Sequence, residues 1–296
     1  EFLSPEILVA LGEIGMRRAF LEESPAVLRR IVLHVGRTCV TGRLPEEALG
    51  LSRYALDRLL LDAAIAAGGA VERSPADSPD ATIIAHGRQF REPKGDRLFG
   101  YKAHFAGQLD DAIAVYFFPG GYVGVNAVEQ GMLNVCGLAS EGLLKANGFD
   151  FDTVVRIYAP LRERLEGSRR AMDWLATGPV AFPNRVAPAR AGEYPAGDAL
   201  AFVDPFTGSG VVSAITGGIL AGRAAAFGVR PDEYTQSARR LLSRQLGVTR
   251  VFRYLLAKGW AEDLAPLARA RWLFEWTRAR GRPALASMRA GPAAGF

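Results

Sequence analysis

Gly197-Asp198-Ala199-Leu200-Ala201-Phe202-Val203-Asp204-Pro205-Phe206-Thr207-Gly208-Ser209-Gly210 is the stretch from which the fold is read. The apolar run Ala199–Val203 predicts a short strand. It delivers the chain to a Pro/Gly turn that opens a helix running to about Phe227. The first N–H groups of such a helix have no internal partners, and its dipole adds to their attraction for anions. Gly208 and Gly210 remove side chains where a ligand would lie against the backbone. Asp198, ahead of the strand, is placed to accept hydrogen bonds from the hydroxyls of an extended ligand. Gly208-Ser209-Gly210-Val211-Val212-Ser213 also imitates G-x-G-x-x-G, with serine in the last place. That match is a weak sign alone, because no acidic residue closes a second strand about twenty positions later. A helix cap with close packing at Gly217, Gly218 and Gly222 is the plainer reading.

The stretch from Pro205 to Gly222 is free of charge and reaches the length of a membrane span. Its content of Gly, Ser and Thr and its bounds, Asp204 and Arg223, favour a buried glycine-rich helix instead. Two more helices follow, over Pro231–Ala257 and Asp263–Arg278, and the tail Arg280–Phe296 is expected to be disordered. Toward the N-terminus, Ser4-Pro5-Glu6 signals a helix start with Ser4 as cap. Residues 24–42 read as extended or mixed. Ser52 caps an amphipathic helix over Leu51–Gly68, and Ala70–Glu72 and Ala81–Ala85 read as short strands. From Phe99 the apolar period becomes two. Phe99–Phe105, Ala112–Phe118, Tyr122–Val128 and Met132–Leu138 are predicted strands, the last three forming an antiparallel meander around two Gly-containing turns. Helical spacing returns over Phe151–Leu165 and Ser168–Ala176.

The expected fold class is therefore α/β (α+β), with an antiparallel sheet inserted into an α/β domain and helices at the C-terminus. The expected units are 1–95 with 186–230, the sheet unit 96–185, C-terminal helices over 231–279 and a tail from 280. Ligand sites favour the junction of such units.

Composition narrows the function. The chain has 296 residues, 49% hydrophobic and 23% charged, which suits a globular protein. Two cysteines, Cys39 and Cys136, and three histidines, His34, His86 and His104, exclude a disulfide framework and leave little for a metal centre. The formal charge of +5 comes from Lys and Arg scattered among acids, without a basic run interleaved with aromatics, so no nucleic-acid partner is expected. The opening residues lack the basic and apolar regions of a secretory signal, and a cytoplasmic location is expected.

Gly197-Asp198 with Asp204-Pro205-Phe206-Thr207-Gly208-Ser209-Gly210 resembles the second flavin motif of FAD-dependent oxidoreductases with the para-hydroxybenzoate hydroxylase fold, nearest their geranylgeranyl-reductase-like branch. Leu51-Ser52-Arg53-Tyr54-Ala55-Leu56-Asp57 resembles the helix whose arginine approaches the flavin nucleotide. Gly100–Phe105, Phe117–Asn126 and Asn134–Leu138 resemble the substrate-domain sheet. The resemblance spans about Glu1 to Trp276. It departs in two places: Phe2–Glu6 matches a point downstream of the family's N-terminal G-x-G-x-x-G βαβ unit, and His86-Gly87-Arg88 stands where Asp-Gly precedes Arg.

The resemblance implies an FAD-binding Rossmann-like domain, N-terminally truncated, that uses Arg53, Asp198, Pro205, Thr207, Gly208, Ser209 and Gly210 for the cofactor. Phe118, Tyr122 and Asn126 would line a pocket over the flavin or be plain core. Lys102 and His104 alternate onto one strand face, as a charged pair beside the substrate or as solvent-facing residues. Tyr101, Lys102, His104 and Tyr122 are candidate acids by chemistry. No catalytic residue and no metal is assigned. The implied activity is reduction of a small hydrophobic organic substrate, isoprenoid or polyketide-like, through flavin hydride transfer with NAD(P)H as donor. The alternatives are a flavin-dependent monooxygenase and a truncated, non-catalytic remnant that cannot hold FAD. No W-x-W-x-x-P-like segment is present, which argues against a halogenase. A lipid substrate would bring peripheral membrane contact.

Overall fold

The computed structural model describes residues 1–74, 82–88, 97–180, 185–202 and 208–257. The expected disordered tail, the helix over 263–278, and Pro205 and Thr207 lie outside them. A nine-stranded sheet organises the chain, in the order β1 (Phe2–Leu3), β3 (Thr38–Gly50), β2 (Ala26–Val35), β6 (Ala112–Phe118), β7 (Gly121–Ala127), β8 (Met132–Ser140), β5 (Leu98–Ala106) and β10 (Leu175–Thr177), with β9 (Arg169–Arg170) also on β5. The meander β6-β7-β8 follows the expected boundaries to within a few residues. Residues 24–42 resolve into β2 and the start of β3, and β2 runs parallel to β6 in one continuous sheet.

Alternation divides this sheet into two faces. One carries Tyr101, Phe105, Tyr116, Phe118, Val125 and Val135, buried under α4 (Glu141–Ala146), α5 (Phe151–Ile157) and α6 (Ala159–Arg164). The other holds Ile113, Phe117 and Tyr122, which join Leu28, Leu33 and Phe2 in a second cluster. The expected helix Phe151–Leu165 breaks into α5 and α6 at Tyr158, extended at φ −88, ψ 115, where Pro160, in the first turn of α6, has no N–H to carry the α5 hydrogen-bond ladder onward.

The remaining helices are α1 (Glu6–Glu13), α2 (Arg17–Glu22), α3 (Arg53–Ala66), α7 (Gly210–Phe227) and α8 (Pro231–Ala257). Pro5, not Ser4, stands at the cap of α1, and no side chain caps it. Ser52 caps α3 as expected, accepting the Ala55 N–H at 3.1 Å. By length and composition α7 is apolar enough to cross a membrane. Instead it inserts Val212 into the cluster of Leu3, Ile7, Leu11 and Leu56, and Ala221 and Ala224 into that of Leu200, Tyr234 and Leu242.

Three local expectations give way. Ser168–Ala176 forms β9 and β10 rather than a helix. Gly167, at φ +71, ends the preceding turn, and Trp174 then packs with Tyr101, Phe105 and Phe151, a cluster that only pairing along β5 can build. Residues 70–72 form no strand; Val71 is 49% exposed and finds no sheet among the described residues. Residues 199–202 are not a strand either. Gly197, at φ +57, starts a 3-10 turn over Gly197–Ala199, and Leu200 buries against Gly217 of α7. The extended segment lies just upstream, where β11 (Tyr194–Pro195) runs parallel to β4 (Ile83–Ile84), the remnant of the expected Ala81–Ala85 strand.

Candidate functional site

The register of β7, β8 and β5 sets Asn126 opposite Asn134 and Asn134 opposite His104, while Cys136 lies between Gly124 and Lys102. These polar residues share the face away from α4–α6. Lys102 and His104 do project together, as alternation requires, and meet the Glu1 carboxylate rather than bulk solvent. Their side chains are 22% and 12% exposed, and both bind the Glu1 carboxylate, His104 through Nε2 at 2.9 Å. The same carboxylate accepts the backbone N–H of Arg53 at 3.1 Å, at the first turn of α3. Burial works to raise the Glu1 carboxyl, but the bond from His104, the charge of the neighbouring N-terminal ammonium and the bond from Lys102 together prevail and hold it at about 2. Tyr54 closes the cluster, its ring 5.2 Å from the Lys102 ammonium and 6.2 Å from the His104 ring.

Glu129, in the turn after β7, fastens α3 from the other side by accepting the Ser52 N–H at 2.7 Å. Gly50, where β3 leads into α3, has no room for a side chain because a Cβ there would strike the Ala127 carbonyl. Backbone contact this close brings the α3 N-terminus against the polar end of β7. The Arg53 guanidinium donates to Asp57 from Nε and Nη2, at 2.9 and 3.0 Å, which uses two of its N–H groups. Asp198 lies within the fields of Arg88 and Arg53. Burial pushes its carboxyl up despite both, and it has no hydrogen-bond partner among the described residues. Arg88 donates to Thr177 Oγ1 at 3.0 Å and lies 5.3 Å over the Phe202 ring.

Two expectations need correction here. Phe118 does not share a face with Tyr122 and Asn126. Phe117 is the residue opposite Tyr122, so Phe118 points into the core under α4–α6 and lines no common pocket with them. Gly208 is not open to a ligand on its Cα side, because a Cβ there would run into the Phe2 ring. Gly208 is nonetheless obligatory at φ +60, and a Cβ on Gly210, the first residue of α7, would meet nothing within 4 Å among the described residues. Ser209 is buried at the α7 cap. Glu1, Tyr54, Asn134 and Glu129 were not singled out from sequence. Asn134 was within reach of it: the turn after β7 fixes Asn126 opposite Asn134 once the two strands are aligned.

Comparison with solved structures places this arrangement. A substituted form of the flavin-dependent brominase Bmp2 superposes with a TM-score of 0.68 at 13% identity, over 98% of this chain and 89% of that one. The chain has the fold of FAD-dependent oxidoreductases. A flavoprotein/dehydrogenase from Cytophaga hutchinsonii matches it with a TM-score of 0.68 at 14% identity, over 87% of this chain and 76% of that one. A geranylgeranyl bacteriochlorophyll reductase-like protein from Thermoplasma acidophilum matches with 0.67 at 16%, over 97% and 85%. No family model and no curated protein matches the sequence.

The described residues fit the flavin that this fold implies. Asp198 is an exposed carboxylate in the fields of Arg88 and Arg53, an acceptor of the kind that the hydroxyls of a ribityl or ribose chain would meet. The start of α7 at Gly210, uncrowded among the described residues, would suit an electron-rich ring edge. The polar row of β7, β8 and β5 supplies further hydrogen-bonding groups on a sheet face whose other large residues are apolar.

Proposed function

We propose that this chain is an FAD-dependent oxidoreductase that reduces a hydrophobic organic substrate, isoprenoid or polyketide-like, with NAD(P)H as the source of electrons. The observation that carries this reading is the exposed Asp198 carboxylate in the fields of Arg88 and Arg53, on a 3-10 turn packed against α7. FAD, when bound, supplies the hydride-transferring ring. The chain's own residues do the rest. Asp198 accepts ligand hydroxyls, and Arg53 and Arg88 offset phosphate charge by proximity. The first amides of α7 stabilise negative charge without reorganising. Lys102 and His104, locked by Glu1, hold the sheet face in one geometry, and His104 is the group best placed to move a proton there. The apolar residues around Phe117 and Tyr122 exclude water and suit a hydrophobic substrate.

Purified protein is expected to be yellow, absorbing at about 450 nm, or to become so when FAD is added. Anaerobic bleaching by NAD(P)H, followed by reoxidation with the substrate, identifies a reductase; substrate-dependent oxygen uptake identifies a monooxygenase. Colourless protein that takes up no FAD overturns the proposal and leaves the non-catalytic remnant.

A further inference from the structure

Where α1 meets α2, the chain shapes a hollow of about 610 Å³, open to solvent and lined by Gly12, Gly15, Arg17, Arg18, Leu21 and Glu22. That volume falls within the range of about 300–1,000 Å³ that small-molecule sites occupy. One wall is bare backbone. Gly15, at φ +72, turns the chain between the two helices, where a left-handed conformation favours glycine. Gly12 has no such reason to be glycine: it lies within α1, and a Cβ there would meet nothing within 4 Å. Glycine inside a helix is less stable than alanine, so neither conformation nor packing accounts for it. Its effect is to keep the hollow open beside Leu21, which is 46% exposed.

Charge accounting selects the occupant. The carboxylates of this corner are engaged, Glu22 by Arg18 at 2.9 Å, Glu13 by Arg223 at 3.2 Å and Glu23 by Arg58 at 3.0 Å. The Leu11 and Gly12 carbonyls at the end of α1 accept the N–H groups of Ile14, Met16 and Gly15. Arg17 is left as the lining cation with no hydrogen-bond or ion-pair partner among the described residues. We infer that this hollow is a binding site for an organic monoanion with an apolar tail, a carboxylate of medium chain length. The planar guanidinium of Arg17 receives the carboxylate through paired N–H donors, and the tail lies over the glycine wall against Leu21. None of the lining residues belongs to the flavin site, so the inference stands apart from that reading.

The test is calorimetric titration of the protein with octanoate, 1-octanol and acetate, which carry head and tail, tail alone and head alone. Octanoate is expected to bind at least about tenfold more tightly than either of the others. Arg17→Gln should bring octanoate down to the level of 1-octanol. Gly12→Leu places a side chain in open space and favours the helix, and should weaken octanoate by about tenfold or more by filling the hollow. Octanoate bound no better than 1-octanol or acetate by the unsubstituted protein, or not bound at all, overturns the inference whatever the variants do. Octanoate binding that persists unchanged in either variant, with native circular dichroism, overturns it as well, because the ligand then sits elsewhere.

Discussion

Glu1 is a small carboxylate with three donors, the ammonium of Lys102, the ring of His104 and the Arg53 amide. Its folded value of about 2 lies below the ordinary 4.5, so the unfolded chain binds the proton more readily. The stabilisation is therefore complete above about pH 4.5 and is lost as pH falls toward 2. Glu1→Gln is expected to lower stability at neutral pH by about 1.5–3 kcal/mol and to flatten the acid limb of a urea-midpoint against pH profile. Asp198 runs the other way. Its raised value means that the folded chain binds the proton more readily than the unfolded chain, so its contribution favours folding at lower pH and opposes it at neutral pH. Asp198→Asn should raise the melting temperature of flavin-free protein and weaken FAD binding by about tenfold, read by thermal scanning and fluorescence titration of the same preparation. At Gly208 two constraints coincide, a left-handed backbone and the Phe2 ring. Gly208→Ala should cost about 1–3 kcal/mol, and adding Phe2→Ala should not restore it, because the backbone conformation remains unfavourable.

At the scale of elements, the strands that alternate cleanly were legible: the meander, β5, and with them the pairing of Lys102 and His104 on one face. So were the long helices α7 and α8, whose periodicity extends over several turns. The short elements were not. The segment after Gly167 carries helical spacing, yet its aromatic residue finds its partners only as a strand beside β5. The run after Asp198 is apolar because Leu200 and Ala201 pack on α7 and α8, not because it lies in a sheet. Phe118 shows the limit most clearly, since composition cannot tell which of two adjacent phenylalanines faces the ligand side; only the register Phe117↔Tyr122 decides it. Phe118→Ala is accordingly expected to lower stability by about 3–5 kcal/mol in denaturant titration and to leave FAD affinity unchanged per folded molecule.

Among the described residues, α7 is the shared wall between the N-terminal helices and α8, with small residues where the contacts are closest. Ala221 is fully buried there, and Ala221→Leu should cost about 1–3 kcal/mol by overpacking, seen as one cooperative shift in far- and near-ultraviolet melting alike. The candidate site depends on this wall, since α7 packs against the turn that carries Asp198 and against the helix that follows Glu1 and β1. No local sequence signal reports that meeting, because it joins residues about a hundred positions apart in the chain, as Glu1 and His104 are.

The outer margin of the large sheet has a further consequence. Strand β1 covers only Gly50 and Leu49 of β3, so most of that long strand forms the sheet's rim. There Pro45 offers no amide hydrogen, Arg43, Glu46 and Glu47 carry charge, and the pairing with β2 slips between Leu28 and Arg30. A second molecule approaching along this rim meets a kinked, charged border instead of a ladder it can extend, which guards a sheet of this size against fibre-like stacking.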